Sequence, residues 1–451
     1  MPDHPTALSG VRLGPVTLHG ATIVLRPPRI DDYSRWRQLR LYDRHRIEPF
    51  WSSSPLDWSA RHTPRHWIHE YLSGRVDEKA GRRLGLVIEV DGLLAGQVEL
   101  AHVDFASGSA ELGLWLSSQL ARRGIAVLAT ALTVDFAFGP AGLRRITAPI
   151  SPDNLATSAG AQQLGFRREA LMARYFDVGG TPRDHELWAI TDRAAPREGL
   201  TANWIRRRSD RAPREAPPPP DLPEVPSPRR SEILVAIARY HAGRLLRPAD
   251  PLWSAQRVRL TDPRHPGVVV RNIDSADHAR RAAGLRRVGA DFGVVTANDP
   301  GRRARRTFGL VRPRPGTAAP PLLLTIEADG AYAGEVRLFE ADMFNRHARL
   351  FAWTDPALPA ATLRRIRTVA IGLVVEYALA DLRLVRVAAE IEPDDTEAAE
   401  IAARAGMAWE GRMRDFVGVT GHRADHDLWA VTVPDSRTAR RLYRAIGAEG
   451  R

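Results

Sequence analysis

The sequence predicts an α+β, mixed α/β fold laid down twice in one chain. This rests on three features. Residues 84–90 and 94–103 alternate apolar and polar side chains and are joined by Asp91-Gly92, a hairpin signal. A strand at 110–116, a glycine-containing loop and an apolar helix at 125–138 lead into another strand at 143–150, the pattern of a parallel crossover. The pattern then recurs farther along the chain at a nearly constant offset.

The remaining elements of the first copy follow in order. Ala-Thr-Ile-Val-Leu-Arg at 21–26 reads as a strand. A helix starts at Asp31, whose carboxylate suits a helix N-terminus, and another near Thr63-Pro64, a cap followed by proline at the first helical position. The segment 110–116 is the third strand of an antiparallel meander. A helix at 154–164 and two closing strands, around 167–178 and 185–191, complete the copy. Each copy is expected to be a central mixed, mostly antiparallel sheet flanked by helices.

The repeat is read directly from the residues. Pro152-Asp153-Asn154 recurs as Pro393-Asp394-Asp395, Gly165 as Gly406, Asp184-His185 as Asp425-His426, and Leu187-Trp188-Ala189 as Leu428-Trp429-Ala430. Upstream, Gly96 matches Gly334 and Trp115 matches Trp353, so three residues are gained within 359–371. Arg26 and Asp31-Asp32 roughly match Arg271 and Asp274-Ser275. The expected domains are 10–194 and 245–435. Between them lie an extended, semi-rigid linker at 195–230, holding Arg206-Arg207-Arg208 and the prolines 217–220, and a connector helix at 231–244. Leu234, Ile237 and Ala238 form the apolar face of that helix, which is expected to dock on the second domain.

Composition bounds the function. The chain has 451 residues, is 44% hydrophobic and carries a formal net charge of +12. It holds no cysteine, which excludes thiolate nucleophiles and thiolate metal sites. Neither an 18-residue apolar run nor a basic segment leading into one is present, so a cytoplasmic location and no membrane partner are expected. Lys79 is the single lysine. Such arginine use fits a GC-rich genome, although the charge, and the basic linker in particular, could attract phosphates or ribosomal RNA.

The chemistry-bearing stretch is Ala110-Glu111-Leu112-Gly113-Leu114-Trp115-Leu116, followed by Ala121-Arg122-Arg123-Gly124-Ile125-Ala126. A helix N-terminus offers unpaired N–H groups, a glycine lets backbone approach a pyrophosphate, and arginines add charge. Downstream stand Asn154, Thr157, Leu164-Gly165-Phe166 and Arg183-Asp184-His185. Together these residues resemble the GNAT N-acetyltransferase superfamily, and within it the RimJ/RimL-like branch of ribosomal-protein N-terminal acetyltransferases. Leu114, Ala121 and Thr157 depart from that branch's pattern, the last with its hydroxyl kept. The resemblance covers 16–193, and 256–433 more faintly.

The resemblance implies a sheet split after the strand that holds Glu111, with acetyl-coenzyme A as co-substrate and no metal. Pantetheine would pair with backbone at Leu114, Trp115 and Leu116. The pyrophosphate would lie on Arg122, Arg123, Gly124, Ile125 and Ala126, and Asn154 near the thioester. Acetyl would pass directly to a primary amine, a protein N-terminus or a small molecule, in a ternary complex. Glu111 is the first candidate for the base, its other reading being a half-exposed glutamate paired with an arginine; Glu99 on the preceding strand is the second. Thr157 suits either the acid that meets the leaving thiolate or a helix cap. The second copy has Arg349 opposite Glu111, Leu358 to Leu363 without glycine opposite the loop, and Asp395 and Ala398 opposite Asn154 and Thr157. It is expected to fold without binding the coenzyme. A tandem scaffold or binding protein without catalysis is the alternative. Acceptor specificity is assigned to 41–65 and the last hairpin, where no chemistry is recognised.

Overall fold

The structure, a computed structural model, describes residues 8–209, 222, 224–246, 258–288, 321–418 and 421–433. The chain divides into two compact units. Unit 1 comprises Met1–Glu169, Val178–Thr181 and His185–Leu246, and unit 2 comprises Ala170–Asp177, Pro182–Asp184 and Arg247–Arg451.

Unit 1 opens with a hairpin, β1 (Leu13–Leu18) and β2 (Ala21–Arg26), followed by α1 (Tyr33–Tyr42), the single turn α2 (Arg44–Ile47) and α3 (Pro64–Lys79). The meander is β3 (Leu84–Val90), β4 (Leu93–Asp104) and β5 (Ser109–Leu116). Asp91 and Gly92 both take positive φ, as a two-residue hairpin turn requires. Then come α4 (Ile125–Phe138), β6 (Arg145–Ile150), α5 (Leu155–Gln163), β7 (Arg167–Val178) and β8 (Thr181–Thr191), with α6 (Leu200–Ser209) and α7 (Arg230–Leu246) after them. The strand order is β1-β2-β3-β4-β5-β6-β8-β7, and β5 runs parallel to β6. β1 was not foreseen, because Gly14-Pro15 interrupts its apolar pattern.

Two cores form on opposite faces of the sheet. On one, Ile125, Leu128, Ala129 and Val134 of α4 pack with Ile23, Ile88, Val98 and Ile146. On the other, Tyr33, Trp36, Leu39, Trp58, Trp67 and Ile68 pack with Val87, Leu94 and Trp115. Gly96 has a packing reason: a Cβ there would lie 2.3 Å from the carbonyl oxygen of Trp115, so β4 reaches β5 only without a side chain. Gly334 stands in the same relation to Trp353, also at 2.3 Å.

The segment after the first copy corrects the expected linker. Residues 200–209 are helical rather than extended. Asp135 on α4 accepts hydrogen bonds from the N–H groups of Leu200 (2.7 Å) and Thr201 (2.8 Å), capping α6, and Leu200 and Trp204 are buried in the α4 core. The cap comes from a residue 65 positions away and cannot be read locally. Arg206 of this helix is paired with Glu198. The prolines 217–220 lie outside the described residues. The connector helix is present as α7, but it belongs to unit 1 and packs on α3. Its buried face is Ala236 and Tyr240, with Ile233 and Ile237, while Leu234 and Val235 are exposed. The expected face was wrong in register, because Tyr240, set edge-on against His69, anchors it.

Unit 2 contains β9 (Arg259–Thr261), β10 (Val268–Asn272), α8 (Asp277–Val288), β11 (Leu322–Ala328), β12 (Ala331–Asp342) and β13 (His347–Thr354). It continues with α9 (Ala360–Ala380), β14 (Arg386–Ile391), α10 (Thr396–Arg404), β15 (Ala408–Val417) and β16 (Arg423–Thr432). Its strand order, β9-β10-β11-β12-β13-β14-β16-β15, repeats that of the first eight strands. Arg26 pairs with Asp32 and Glu89, and Arg271 pairs with Asp277 and Glu327. The structure therefore matches Asp32 with Asp277, not with Ser275. The expected first domain, ending at 194, also differs from the compact unit. Ala170–Asp177 belongs to unit 2, where Ala173 donates to Glu410 at 2.9 Å and its carbonyl accepts from Arg386 at 3.0 Å.

Candidate active site

β5 and β6 pair only at Ser109 to Glu111 with Arg145 to Thr147. Beyond Glu111 the two strands part, so Leu112–Leu116 show backbone N–H and C=O groups toward the gap. This is a split parallel pair, placed where the resemblance implied it. The chain leaves β5 at Ser117, whose N–H bonds the carbonyl of Ala95 at 2.9 Å, and Ser118 donates to the buried Asp43 at 3.0 Å. A turn follows in which Arg122 (φ +63°) and Gly124 (φ +80°) are both left-handed. Gly124 caps α4 without a side chain, and the first N–H groups of that helix have no acceptor within it. A Cβ on Gly124 would meet Trp204 at 3.3 Å and Arg208 at 3.7 Å, so α6 packs against the loop. Arg122, Arg123, Gly124, Ile125 and Ala126 thus lie together in one turn.

On the other face of the sheet, β4 and β5 floor a cavity of about 260 Å3 lined among others by Glu70, Glu99, Gln97, Trp51, Leu114 and Trp115. Register pairs Gln97 with Trp115, Glu99 with Gly113 and Ala101 with Glu111. Glu99 lies over Gly113, where a Cβ would sit 3.3 Å from its Oε1, so the glycine makes room for the carboxylate. Arg83 donates to Glu99 Oε2 at 2.7 Å, and Glu99 holds the Arg83 guanidinium above the usual arginine range. No hydrogen bond to Glu99 Oε1 is formed by the described residues. Glu111 shares this face but lies one pair farther along β5 and does not line the cavity.

Beside Glu99 is a polar hub that sequence reasoning missed. The side-chain oxygen of Gln97 accepts from Trp115 (2.8 Å), Trp36 (3.1 Å) and Arg40 (3.3 Å), and its amide donates to Glu70 at 2.9 Å. Arg40 is buried with its guanidinium 4.0 Å from the Trp51 ring and 4.3 Å from the Trp115 ring. Burial pulls it down to about 10, against the opposing pull of Glu70 and Glu99, so it stays charged near neutrality. His62, held against Trp36 and Trp58, is pulled down to about 3, mainly by burial. The tryptophans at 36, 51, 58 and 67 were the available signal. Within 41–65, Trp51 lines the cavity and His62 is buried against Trp36 and Trp58.

Asn154 and Thr157 open α5. The Asn154 side-chain oxygen accepts from Thr157 N–H at 3.3 Å and from Thr157 Oγ1 at 2.9 Å, so capping accounts for both. In unit 2 the corresponding machinery is altered. By the same register Glu335 and Arg337 stand for Gln97 and Glu99, and Phe351 for Gly113. Buried Glu335 is paired with Arg281 at 2.5 Å and also with Arg337. Arg349 is tied to Glu390 and Glu340. The connection before α9 is 355–359 against 117–124 before α4, and Pro359 caps the helix. Among the described residues no group of side chains could hold a metal ion, and no helix is long and apolar enough to cross a membrane.

The site is thus a split parallel pair beside a loop that caps a central helix, with a carboxylate-lined cavity on the adjoining strands. Residues 22–167 match the family model described as "Acetyltransferase (GNAT) domain". The "Probable N-acetyltransferase YjcK" of Bacillus subtilis (strain 168) is 29% identical over 174 residues, covering 38% of this chain and 96% of that protein. Mycobacterium smegmatis RimJ, solved with a coenzyme A disulfide, is 34% identical, with 44% of this chain and 95% of that one covered and a TM-score of 0.43. The ribosomal-protein-S5-alanine acetyltransferase of Vibrio fischeri is 22% identical over 41% of this chain and all of that one, with a TM-score of 0.37. The chain belongs to the GNAT acetyltransferase family, with RimJ/RimL-like relatives, and is an acyltransferase. Acetyl-coenzyme A is the co-substrate of this family.

Proposed function

We propose that the first copy transfers acetyl from acetyl-coenzyme A to a primary amine bound in the Glu99 cavity, and that the second copy binds no coenzyme. The observation that carries this is the placement of Glu99, with Oε1 unbonded among the described residues, on the strands that floor the cavity beside the split. The separated backbone at Leu114 to Leu116 suits pantetheine, and the left-handed turn with the α4 N-terminus suits the pyrophosphate, with Arg122 and Arg123 adding charge.

In this reading the amine nitrogen attacks the acetyl carbonyl, and Glu99 takes the amine proton directly or through one water. Backbone N–H groups of β5 steady the oxyanion, whose collapse forms the amide and releases the thiolate, which then takes up a proton. Positioning supplies most of the remainder. Glu111 is kept as the second candidate for the base. Asn154 and Thr157 shape the thioester end through their cap. The acceptor is a protein N-terminus or a small amine. Calorimetry with acetyl-coenzyme A on the whole chain should give one site. Failure to bind would overturn the assignment, and two sites would overturn the second copy's part in it.

A further inference from the structure

The acceptor cavity has a neighbour. A second, open cavity of about 600 Å3 shares Pro28, Tyr71 and Arg75 with it and is lined also by Arg12, Arg26, Pro27, Arg29, Ile30, Asp31 and Ile233 of α7. Arg26 is spent on Asp32 and Glu89. Arg12, Arg29 and Arg75 are exposed, and none of them has an ion-pair partner among the described residues; Arg75 lies 5.9 Å from the Tyr71 ring. Asp31 is the one carboxylate on this wall among the described residues. The inner cavity differs: it sets Glu70, Glu78 and Glu99 against Arg40, Arg75 and Arg83, a balanced set. The two cavities thus form a path from a carboxylate that suits an amine to a rim with three uncommitted cations.

We infer that the acceptor is a polypeptide whose N-terminal amine enters the Glu99 cavity and whose following residues, from about the third onward, are acidic and lie on Arg12, Arg29 and Arg75. This rests on the proposed acceptor site. Glu99 lines the inner cavity, and Tyr71 and Arg75 line both cavities. An extended chain advances about 3.3 Å per residue, so the residues that follow a bound N-terminal amine run along that shared wall onto the rim. Three exposed charge pairs add modest affinity each and are weakened by salt.

The test is equilibrium binding to the full chain, read by fluorescence anisotropy with hexapeptides labelled at the C-terminus. Three peptides begin Ala-Ala and continue with three Glu, three Gln or three Lys. The acidic peptide should bind about tenfold more tightly than the Gln peptide at low salt and lose that margin near 0.5 M salt. The double variant Arg12→Ser/Arg29→Ser, changed only in the outer cavity, should lose most of the margin while acetylating Ala-Ala amide at the wild-type rate. Equal binding of all three peptides, or an unchanged margin in the double variant, would overturn the inference. Absent acetyl-coenzyme A binding with the margin intact would instead overturn the catalytic reading alone.

Discussion

Glu99→Gln separates the proposed base from a merely structural carboxylate. Glutamine keeps the shape of the side chain and one oxygen for Arg83, and it keeps the fit over Gly113, so the fold should hold. The Arg83–Glu99 pair has side-chain exposures of 32% and 36%, which places it among surface-like pairs; its loss should cost about 0.5–1 kcal/mol of stability. Loss of a general base should lower kcat by about 10²–10⁴, equivalent to about 3–5 kcal/mol in the barrier. Affinity for acetyl-coenzyme A should stay within about twofold, since the coenzyme lies on β5 and the α4 turn in this reading. The assay can follow the released thiol with a thiol-reactive dye, because the protein has no cysteine of its own. A kcat within threefold of wild type, with an unchanged pH profile, would refute the role of Glu99 and move it to Glu111 or to water. The parallel variant Glu111→Gln should change kcat by less than tenfold.

Gly124→Glu should abolish coenzyme binding to the whole chain, because the left-handed φ and the Trp204 contact at 3.3 Å leave no room and the new charge repels phosphate; residual one-site binding by calorimetry would place the coenzyme elsewhere. Trp204→Ala should destabilise unit 1 by about 3–5 kcal/mol, read in urea unfolding, since this buried indole holds α6 to the α4 core; a loss below 1 kcal/mol would show that α6 does not dock. His62 is neutral in the folded protein down to about pH 3, whereas the unfolded chain takes up a proton below about pH 6.5. Its contribution is therefore fully present above pH 6.5 and lost as pH falls toward 3, by about 2–3 kcal/mol at pH 4.5. His62→Phe, which keeps a ring against Trp36 and Trp58, should flatten the difference in unfolding free energy between pH 7.5 and 4.5 by that amount, and an unchanged slope would show that His62 protonates freely.

Much of the fold was written locally. Alternation fixed β3, β4 and β5, Asp91-Gly92 fixed their turn, and the apolar run with Gly124 before it fixed α4, because period and turn chemistry act over a few residues. Comparison of the chain with itself found the repeat and marked the second copy as altered, through Arg349, Pro359, Asp395 and Ala398. Other features needed contacts that no local pattern encodes. The helix α6 exists where the sequence suggested an extended linker, because Asp135 caps it and Trp204 is buried beneath it. The face of α7 was decided by α3. The register of β4 on β5 decided which glutamate enters the cavity: it sets Glu99 over a residue with no side chain and leaves Glu111 one pair away. Gln97 binds two indoles, Arg40 and Glu70 only because four elements meet there. The sequence by itself thus determined most of the elements, the duplication and the glycine turn before α4, all set by neighbours along the chain; tertiary structure alone decided the cavity and which glutamate lines it, which depend on pairing across strands.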